Sequence, residues 1–341
     1  MHYNEAEIQS QEFNIGDSSM RTRRLTGLIL ATIVTLSGAI QAQDFPSKPL
    51  RMVIPFPPGG AGDITTRILA DTMSKGLGQP VIVDNKPGAG AVTGYEFVAR
   101  APADGYTILV VFPSFVINPA IRTGLSYDPA KNFQAVGQAM WLPMAITVGL
   151  EVPATTLKEL IALARAKPGE LAYGTPGVGT THHVVAEMFR LAVGINIFHA
   201  PYAGGVPALT AAVGGHLPVA VTNVTEAAPF AKIGKVRVLV VTSAERAAAL
   251  PDVPTLRELG YPELEATNWS GLVVPKGTPP AVITRLNAEL VHALNNAAVQ
   301  EKFQANGMFP SPGTPEQFAA KLESEATRFA KVAKEAGVKA E

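Results

Sequence analysis

The stretch Leu50-Arg51-Met52-Val53-Ile54-Pro55-Phe56-Pro57-Pro58-Gly59-Gly60-Ala61-Gly62-Asp63 decides how the chain is read. Leu50 to Ile54 is an extended apolar run. Beyond the turn, Ile64, Ile68, Leu69, Met73 and Leu77 recur at helix-face spacing. The pattern predicts a strand, a glycine-rich turn and a helix with Asp63 as its N-cap. Glycines let backbone N–H groups approach a ligand with no Cβ in the way, and a helix N-terminus offers unpaired donors and a partial positive charge. Such a turn suits an anion, although Pro57-Pro58 and the two glycines could equally serve only to make the chain turn. The Gly-Lys-Ser/Thr of a phosphate loop and the G-x-G-x-x-G of a dinucleotide fold are both absent, so a nucleotide is not the first expectation.

A second turn of the same kind lies far along the chain. A short strand, Glu170 to Tyr173, enters Gly174-Thr175-Pro176-Gly177-Val178-Gly179-Thr180-Thr181-His182-His183, and a helix follows with Val184, Val185, Met188, Phe189 and Ala192 on one face. Thr180 or Thr181 is its expected cap. Two helix starts with glycine-rich approaches, one in each half, are what a two-domain clamp needs to grip one anion from both sides. Neither turn carries Lys, and Arg67 is expected to face solvent. The grip is therefore expected from N–H groups, hydroxyls and helix dipoles in place of an arginine.

Around these turns the chain alternates strand-like and helix-like runs. Val81 to Val83, a helix through Tyr95, Phe97 and Val98, and Tyr106 to Val111 complete a first series, which predicts a parallel α/β sheet with ligands at the strand C-termini. Periodicity is lost from Phe112 to Gln134, where Pro113, Pro119 and Pro129 intervene. A β-like run from Ala135 to Gly149 then leads to a second series: a helix over 156–166, strands at Ile195–Phe198, Leu217–Val221 and Val236–Thr242, and a helix at Val206–Val213. After a strand at Trp269–Val274, two amphipathic helices close the chain near 280–295 and 315–336.

Composition narrows the function. Lys plus Arg number 28, as do Asp plus Glu, with no basic block, so nucleic-acid binding has no electrostatic basis. There is no cysteine, which excludes disulfides, thiolate metal sites, cysteine catalysis and a lipid-anchored cysteine. Arg21, Arg23 and Arg24 precede an apolar run from Leu25 to Ile40 that closes on Gln41-Ala42. This is the pattern of a secretory signal peptide over about 20–42 with cleavage after Ala42, and the run is shorter than the roughly 20 residues of a membrane span. Residues 1–19 then read as an extension upstream of a start at Met20. Roughly 300 residues follow, enough for two domains.

Among chemical candidates, His182 and His183 are adjacent, point about 100° apart on a helix and lack the H-E-x-x-H spacing, so no metal site is expected. There is no G-x-S-x-G elbow, and Ser114 and Ser243 have no local catalytic partner. Tyr202 closes a strand where it could wall a pocket or be a buried core tyrosine. Thr222 and Asn223 end a strand where polar groups would reach a cleft. Phe56, Phe112 and Trp141 could be cleft wall or core.

The motifs together resemble a family. Phe45-Pro46-Ser47-Lys48-Pro49-Leu50-Arg51, the opening turn, Asn85-Lys86-Pro87-Gly88-Ala89-Gly90, Asp104-Gly105-Tyr106-Thr107 and Asn118-Pro119 are similar to the Bug-type receptors, the periplasmic substrate-binding proteins of tripartite tricarboxylate transporters. Tyr173 to Thr180 with His183, His199-Ala200-Pro201-Tyr202, Leu250-Pro251-Asp252-Val253-Pro254-Thr255 and Pro275-Lys276-Gly277-Thr278-Pro279 continue the resemblance in the family's order. It implies a type II periplasmic-binding-protein fold, in which two α/β domains joined by two hinge strands close on a ligand. One domain is then expected over 43–143 with 267–341 and the other over 144–266. The resemblance also implies a small organic carboxylate as ligand, held partly through ordered water, no cofactor and no chemistry on the ligand. It implies a monomer that delivers its cargo to membrane permease subunits. Carried onto this chain, the binding positions are Phe56, Pro57, Gly59, Gly60 and Asp63 from the first turn, and Thr175, Gly179, Thr180 and His183 from the second, with Ser114, Tyr202 and Asn223 nearby.

Two departures bear on the ligand. Ala203 stands where the family pattern has Lys, and its G-Q-V-D-L-x-x-D becomes Gly215-His216-Leu217-Pro218-Val219-Ala220-Val221-Thr222, losing both acids. A neutral Thr222 offers a ligand ammonium little in a dry site. The expectation is therefore an unsubstituted mono- or dicarboxylate, aromatic ones included, over an amino acid. The alternatives are a ligand sensor for a membrane histidine kinase and, further off, an exported hydrolase.

Overall fold

A computed structural model describes residues 45–59 and 61–339, with the side chain of Ala61 also left out. The expected signal peptide, the extension before Met20 and Gly60 lie outside the described residues. Among the described residues no helix is long and apolar enough to cross a membrane.

The chain runs β1 (Leu50–Ile54), α1 (Ala61–Leu77), β2 (Val81–Asn85), α2 (Val92–Ala99), β3 (Thr107–Val111), α3 (Ser114–Ile121), α4 (Pro129–Asn132) and β4 (Phe133–Gly149). Then follow α5 (Leu157–Ala166), β5 (Ala172–Thr175), α6 (Thr181–Val193), β6 (Phe198–Pro201), α7 (Gly205–Val213), β7 (Val219–Asn223), α8 (Val224–Lys232) and β8 (Val236–Val241). The last part is β9 (Thr267–Pro275), α9 (Pro280–Leu294), α10 (Ala297–Ala305), β10 (Phe309–Pro310) and α11 (Pro315–Ala336).

The strand order is β2-β1-β3-β9-β4-β7-β5-β6, with β8 and β10 also on β4. The strand β4 organises two lobes. Its residues 133–143 pair with β9, whereas Met144 to Gly149 pair with β7 and β8. The chain crosses a second time between β8 and β9, where Thr242 N–H donates to the Met144 carbonyl and Ala266 N–H to the Thr242 carbonyl, at 2.9 and 3.0 Å. Two α/β lobes joined by two crossing strands are the architecture that the sequence resemblance implies. Apolar strands such as Ile108–Val111 and Val219–Val221 are buried on both faces, as strands covered by helices on each side must be.

Several expectations are corrected. The first sheet is not wholly parallel: β9 runs antiparallel to both β3 and β4, because the chain returns to it from the other lobe. The stretch after Phe112 holds α3, with Pro119 inside it. Proline 119 cannot donate to the Phe115 carbonyl four residues back, and the Tyr127 hydroxyl donates there instead, at 3.2 Å. The strand expected at Ile195–Phe198 lies at Phe198–Pro201, and that expected at Glu170–Tyr173 lies at Ala172–Thr175. Three further unforeseen helices appear among the described residues: the short α4, α10 between the expected terminal pair, and α8, which carries Pro229.

Candidate functional site

The cleft between the lobes encloses a cavity of about 620 Å³. The first lobe contributes the β1–α1 turn. Helix α1 begins at Ala61, so Asp63 sits in its first turn and is not the N-cap expected from the sequence. The Asp63 carboxylate, 4% exposed, reaches back to the Gly59 N–H at 3.0 Å and accepts two bonds from Arg67, at 2.9 and 3.0 Å, and one from Asn85 Nδ2 at 2.9 Å. Arg67, expected in solvent, is thus half-exposed but fastened to the turn. Burial raises the Asp63 pKa, but the hydrogen bonds from Arg67, Asn85 and Gly59 outweigh it and hold it down at about 2. Asn85 Nδ2 also donates to the Phe56 carbonyl, at 3.0 Å, which ties the turn to the end of β2.

Phe56 and Phe112 pack edge to face at 4.9 Å and form the apolar part of this wall. Beside them Ser114 Oγ shares a 2.8 Å hydrogen bond with the buried Tyr95 hydroxyl. Arg122, the C-cap of α3, also lines the cavity, as does Gly90; a Cβ on Gly90 would lie 3.1 Å from Arg122 Nη2.

The second lobe contributes the start of α6. Thr180 is its N-cap: Oγ1 accepts from His183 N–H at 3.3 Å and donates to the Gly177 carbonyl at 2.8 Å. Gly179 holds φ at +75°, a conformation that favours glycine, and its N–H donates to His183 Nδ1 at 3.3 Å. Among the described residues no acceptor meets the N–H of Thr181 or of His182, the first two helical positions, and both residues line the cleft. His182 Nε2 donates to Asn223 Oδ1 at 2.9 Å. Asn268 Nδ2 donates to the same oxygen at 3.3 Å, while Asn268 Oδ1 accepts from Thr181 Oγ1, also at 3.3 Å. Asn268, on β9, thereby joins the two sides at the floor of the cleft. Asn223 in turn caps α8: its N–H and Nδ2 donate to Glu226 Oε2, at 3.0 and 3.2 Å.

Behind this wall is a stack of rings. His183 lies on His199 at 3.8 Å, His199 lies on Tyr173 at 5.1 Å, and Thr175 Oγ1 shares a 2.7 Å bond with His199 Nε2. Burial pushes His182 and His183 down to about 4 and His199 to about 3, so all three rings are neutral near pH 7. Among the described residues no group of three His, Asp or Glu side chains is placed to hold a metal ion.

Of the expected site residues, Phe56, Pro57, Asp63, Ser114, Gly179, Thr180 and Asn223 line the cavity. Gly59, Thr175, His183 and Tyr202 do not: the first three brace the two turns, and Tyr202 packs into the core of the second lobe. Thr222 is fully buried in β7, and Trp141 stacks on Phe309 at 4.4 Å, away from the cleft. Sequence reasoning missed Arg122, Thr181, His182, Glu226 and Asn268. Arg122 places an arginine in the lining, where the sequence reading expected only N–H groups, hydroxyls and helix dipoles. It and Glu226 sit in or beside helices hidden by an internal proline.

Residues 65–338 match the model of the tripartite tricarboxylate transporter family receptors. The chain belongs to this receptor family. BugT of Bordetella pertussis is 34% identical over 321 residues, covering 94% of this chain and 98% of that protein. A receptor-like fold is shared with Rhodopseudomonas palustris Rpa4515 solved with adipate, at a TM-score of 0.78 and 32% identity, covering 87% of this chain and 99% of that one. MatC of Rhodopseudomonas palustris with bound malate gives a TM-score of 0.76 and 29% identity, covering 84% and 99%.

Proposed function

We propose that this family receptor works in the periplasm, closes its two lobes on a small organic carboxylate and hands it to the permease subunits of a tripartite tricarboxylate-type transporter, with no reaction on the cargo. The observation that carries this reading is the cleft between the β1–α1 turn and the start of α6, lined by Thr181 and His182, whose N–H groups meet no acceptor among the described residues. Helix N-termini favour an anion by about 0.3–1 kcal/mol when exposed and up to about 2 kcal/mol when partly buried. Adipate in Rpa4515 and malate in MatC support a carboxylate here. Asp63 orders the first turn and leaves the ligand to its neighbours, since its oxygens already accept four hydrogen bonds.

The switch of partners along β4 at Pro143 and Met144, and the start of β9 at Thr267, support the division into 43–143 with 267–341 and 144–266 as the moving bodies. Closure is then a shift of an existing open–closed equilibrium by the ligand. The test is a thermal-shift screen of aliphatic and aromatic carboxylates on wild type and on Ala203→Trp, which fills the cleft from an exposed position. A carboxylate that raises the wild-type melting temperature by several degrees is expected to leave the variant unmoved. An equal rise in both would place the ligand elsewhere.

A further inference from the structure

The turn between α10 and β10 reaches from the first lobe to the second. Its Gly307 stands at φ +62° and lies against Thr225, in the first turn of α8, so closely that a Cβ would be 2.6 Å from Thr225 Cγ2. On its own side the turn is held firmly. The Gly307 N–H donates to the Gln304 carbonyl and the Met308 N–H to the Phe303 carbonyl, both at 2.9 Å. Met308 is buried, and its Sδ accepts from Thr65 Oγ1 of α1 at 2.9 Å. Phe309 pairs with Trp141 of β4 and stacks on it, just ahead of the switch of partners at Pro143 and Met144. Thr65 lies two residues beyond Asp63, and Thr225 lies between Asn223 and Glu226; Asp63, Asn223 and Glu226 all line the cleft. The contact thus joins the cleft-facing ends of α1 and α8, where approach of the lobes compresses it.

Resting on the lobe-closure reading above, we propose that Gly307 and Thr225 form the stop that sets how far the two lobes close. They are positioning residues: neither lines the cavity, so they act on a ligand only through the angle between the jaws. Packed surfaces resist compression, and a sub-ångström change at such a contact is amplified at the far ends of the bodies it separates. Glycine suits position 307 twice over, because it takes the left-handed backbone and leaves the volume of one methyl group to the facing Thr225. A stop built of backbone and a methyl group carries no charge, so it serves closure at any pH at which the lobes fold.

The test is a double-mutant cycle of Gly307→Ala and Thr225→Ser, the latter removing Cγ2 and keeping the hydroxyl. The strain of a left-handed alanine is the same in both Thr225 backgrounds, so the cycle cancels it and leaves the interlobe clash. Spin labels at Lys75→Cys on α1 and Lys158→Cys on α5 read the lobe separation without mistaking a shift confined to α8 for a rotation. In the ligand-free protein Gly307→Ala is expected to move the short-distance edge of the distribution outwards by about 2 Å, and the double variant to restore it. Adipate or malate, where it binds, should bind Gly307→Ala about fivefold or more weakly, again with recovery in the double variant. If Gly307→Ala proves too unstable to label, Thr225→Ser alone decides, since loss of the methyl group should move the short-distance edge inwards. An edge that stays in place, or a shift that Thr225→Ser does not cancel, overturns the stop while leaving the carboxylate receptor intact. If no carboxylate binds or closes the wild-type lobes, the receptor reading fails, and the ligand-free cycle still decides the stop.

Discussion

The two turns that face each other across the cleft are alike in sequence and unlike in physics. The first, Phe56 to Asp63, is fastened by charge: one buried carboxylate collects four hydrogen bonds from Gly59, Arg67 and Asn85. The second, Gly174 to His183, is fastened by neutral groups: a threonine cap, an imidazole that accepts from Gly179, and stacked rings kept uncharged by burial. A glycine-rich turn ahead of a helix therefore predicts an anion site without predicting how the site is held open. The first jaw resists acid down to the pKa of Asp63, whereas the second is exposed to the titration of its histidines.

The largest effect expected is that of Asp63→Ala. It removes four hydrogen bonds and leaves the Gly59 N–H without its acceptor, while the half-exposed Arg67 keeps only Asn85 Oδ1, at 3.1 Å, and it should lower stability by about 3 kcal/mol, read from urea unfolding. If the loss is below about 1 kcal/mol, the first jaw is not held by charge. The folded pKa of Asp63, about 2, lies below the unfolded value, so its contribution is present above about pH 4 and lost only as pH falls through about 2.

Acidification should reach the second jaw earlier. The folded pKa values of His182, His183 and His199 are depressed, so the unfolded chain binds more protons between about pH 6.5 and 4, and stability falls as pH drops through that window. A loss of about 2 kcal/mol between pH 7 and 5 is expected after allowing for solvent screening, because His199 is only half-buried. Hydrogen exchange at the two pH values should show faster opening at 175–190 than at 56–67. Equal loosening of both would erase the distinction between the jaws.

Two smaller changes sharpen the comparison within the second jaw. Thr180→Ala removes the N-cap of α6 and should cost about 1 kcal/mol, with Thr180→Ser recovering most of it. Asn268→Ala removes two 3.3 Å hydrogen bonds, to Asn223 and from Thr181, and the 3.1 Å bond from the Trp269 N–H, and should cost about 0.5 kcal/mol of stability. A stability loss above that of Thr180→Ala would mean that the floor of the cleft, not the cap, holds the second jaw.

The comparison also shows what the sequence made legible. Both βα turns, and helices such as α6 and α11, announce themselves because apolar spacing, caps and glycines agree over ten residues or more. What escaped detection followed two physical causes. Helices α3 and α8 carry Pro119 and Pro229, and a proline reads as a break unless another donor serves the freed carbonyl, as Tyr127 does for Phe115. Arg122 and Glu226 belong to those segments and were lost with them. Asn268 escaped because its role depends on β9 returning antiparallel to the crossing strand β4, a pairing between residues more than a hundred positions apart. Asp63 was legible as a helix-start residue but not as one whose oxygens are already taken, since Arg67 and Asn85 come to it only in the fold.

The central claim is that a carboxylate is gripped by both jaws at once, and lobe closure measures it most directly. The chain contains no cysteine, so spin labels can be placed at Lys75→Cys on α1 and Lys232→Cys on α8, both exposed and outside the cleft lining. On saturation with a carboxylate that raises the melting temperature, the distance distribution between the labels should shift to a single narrower population, and Ala203→Trp should abolish the shift. A distribution that stays unchanged while the carboxylate is demonstrably bound would contradict the account.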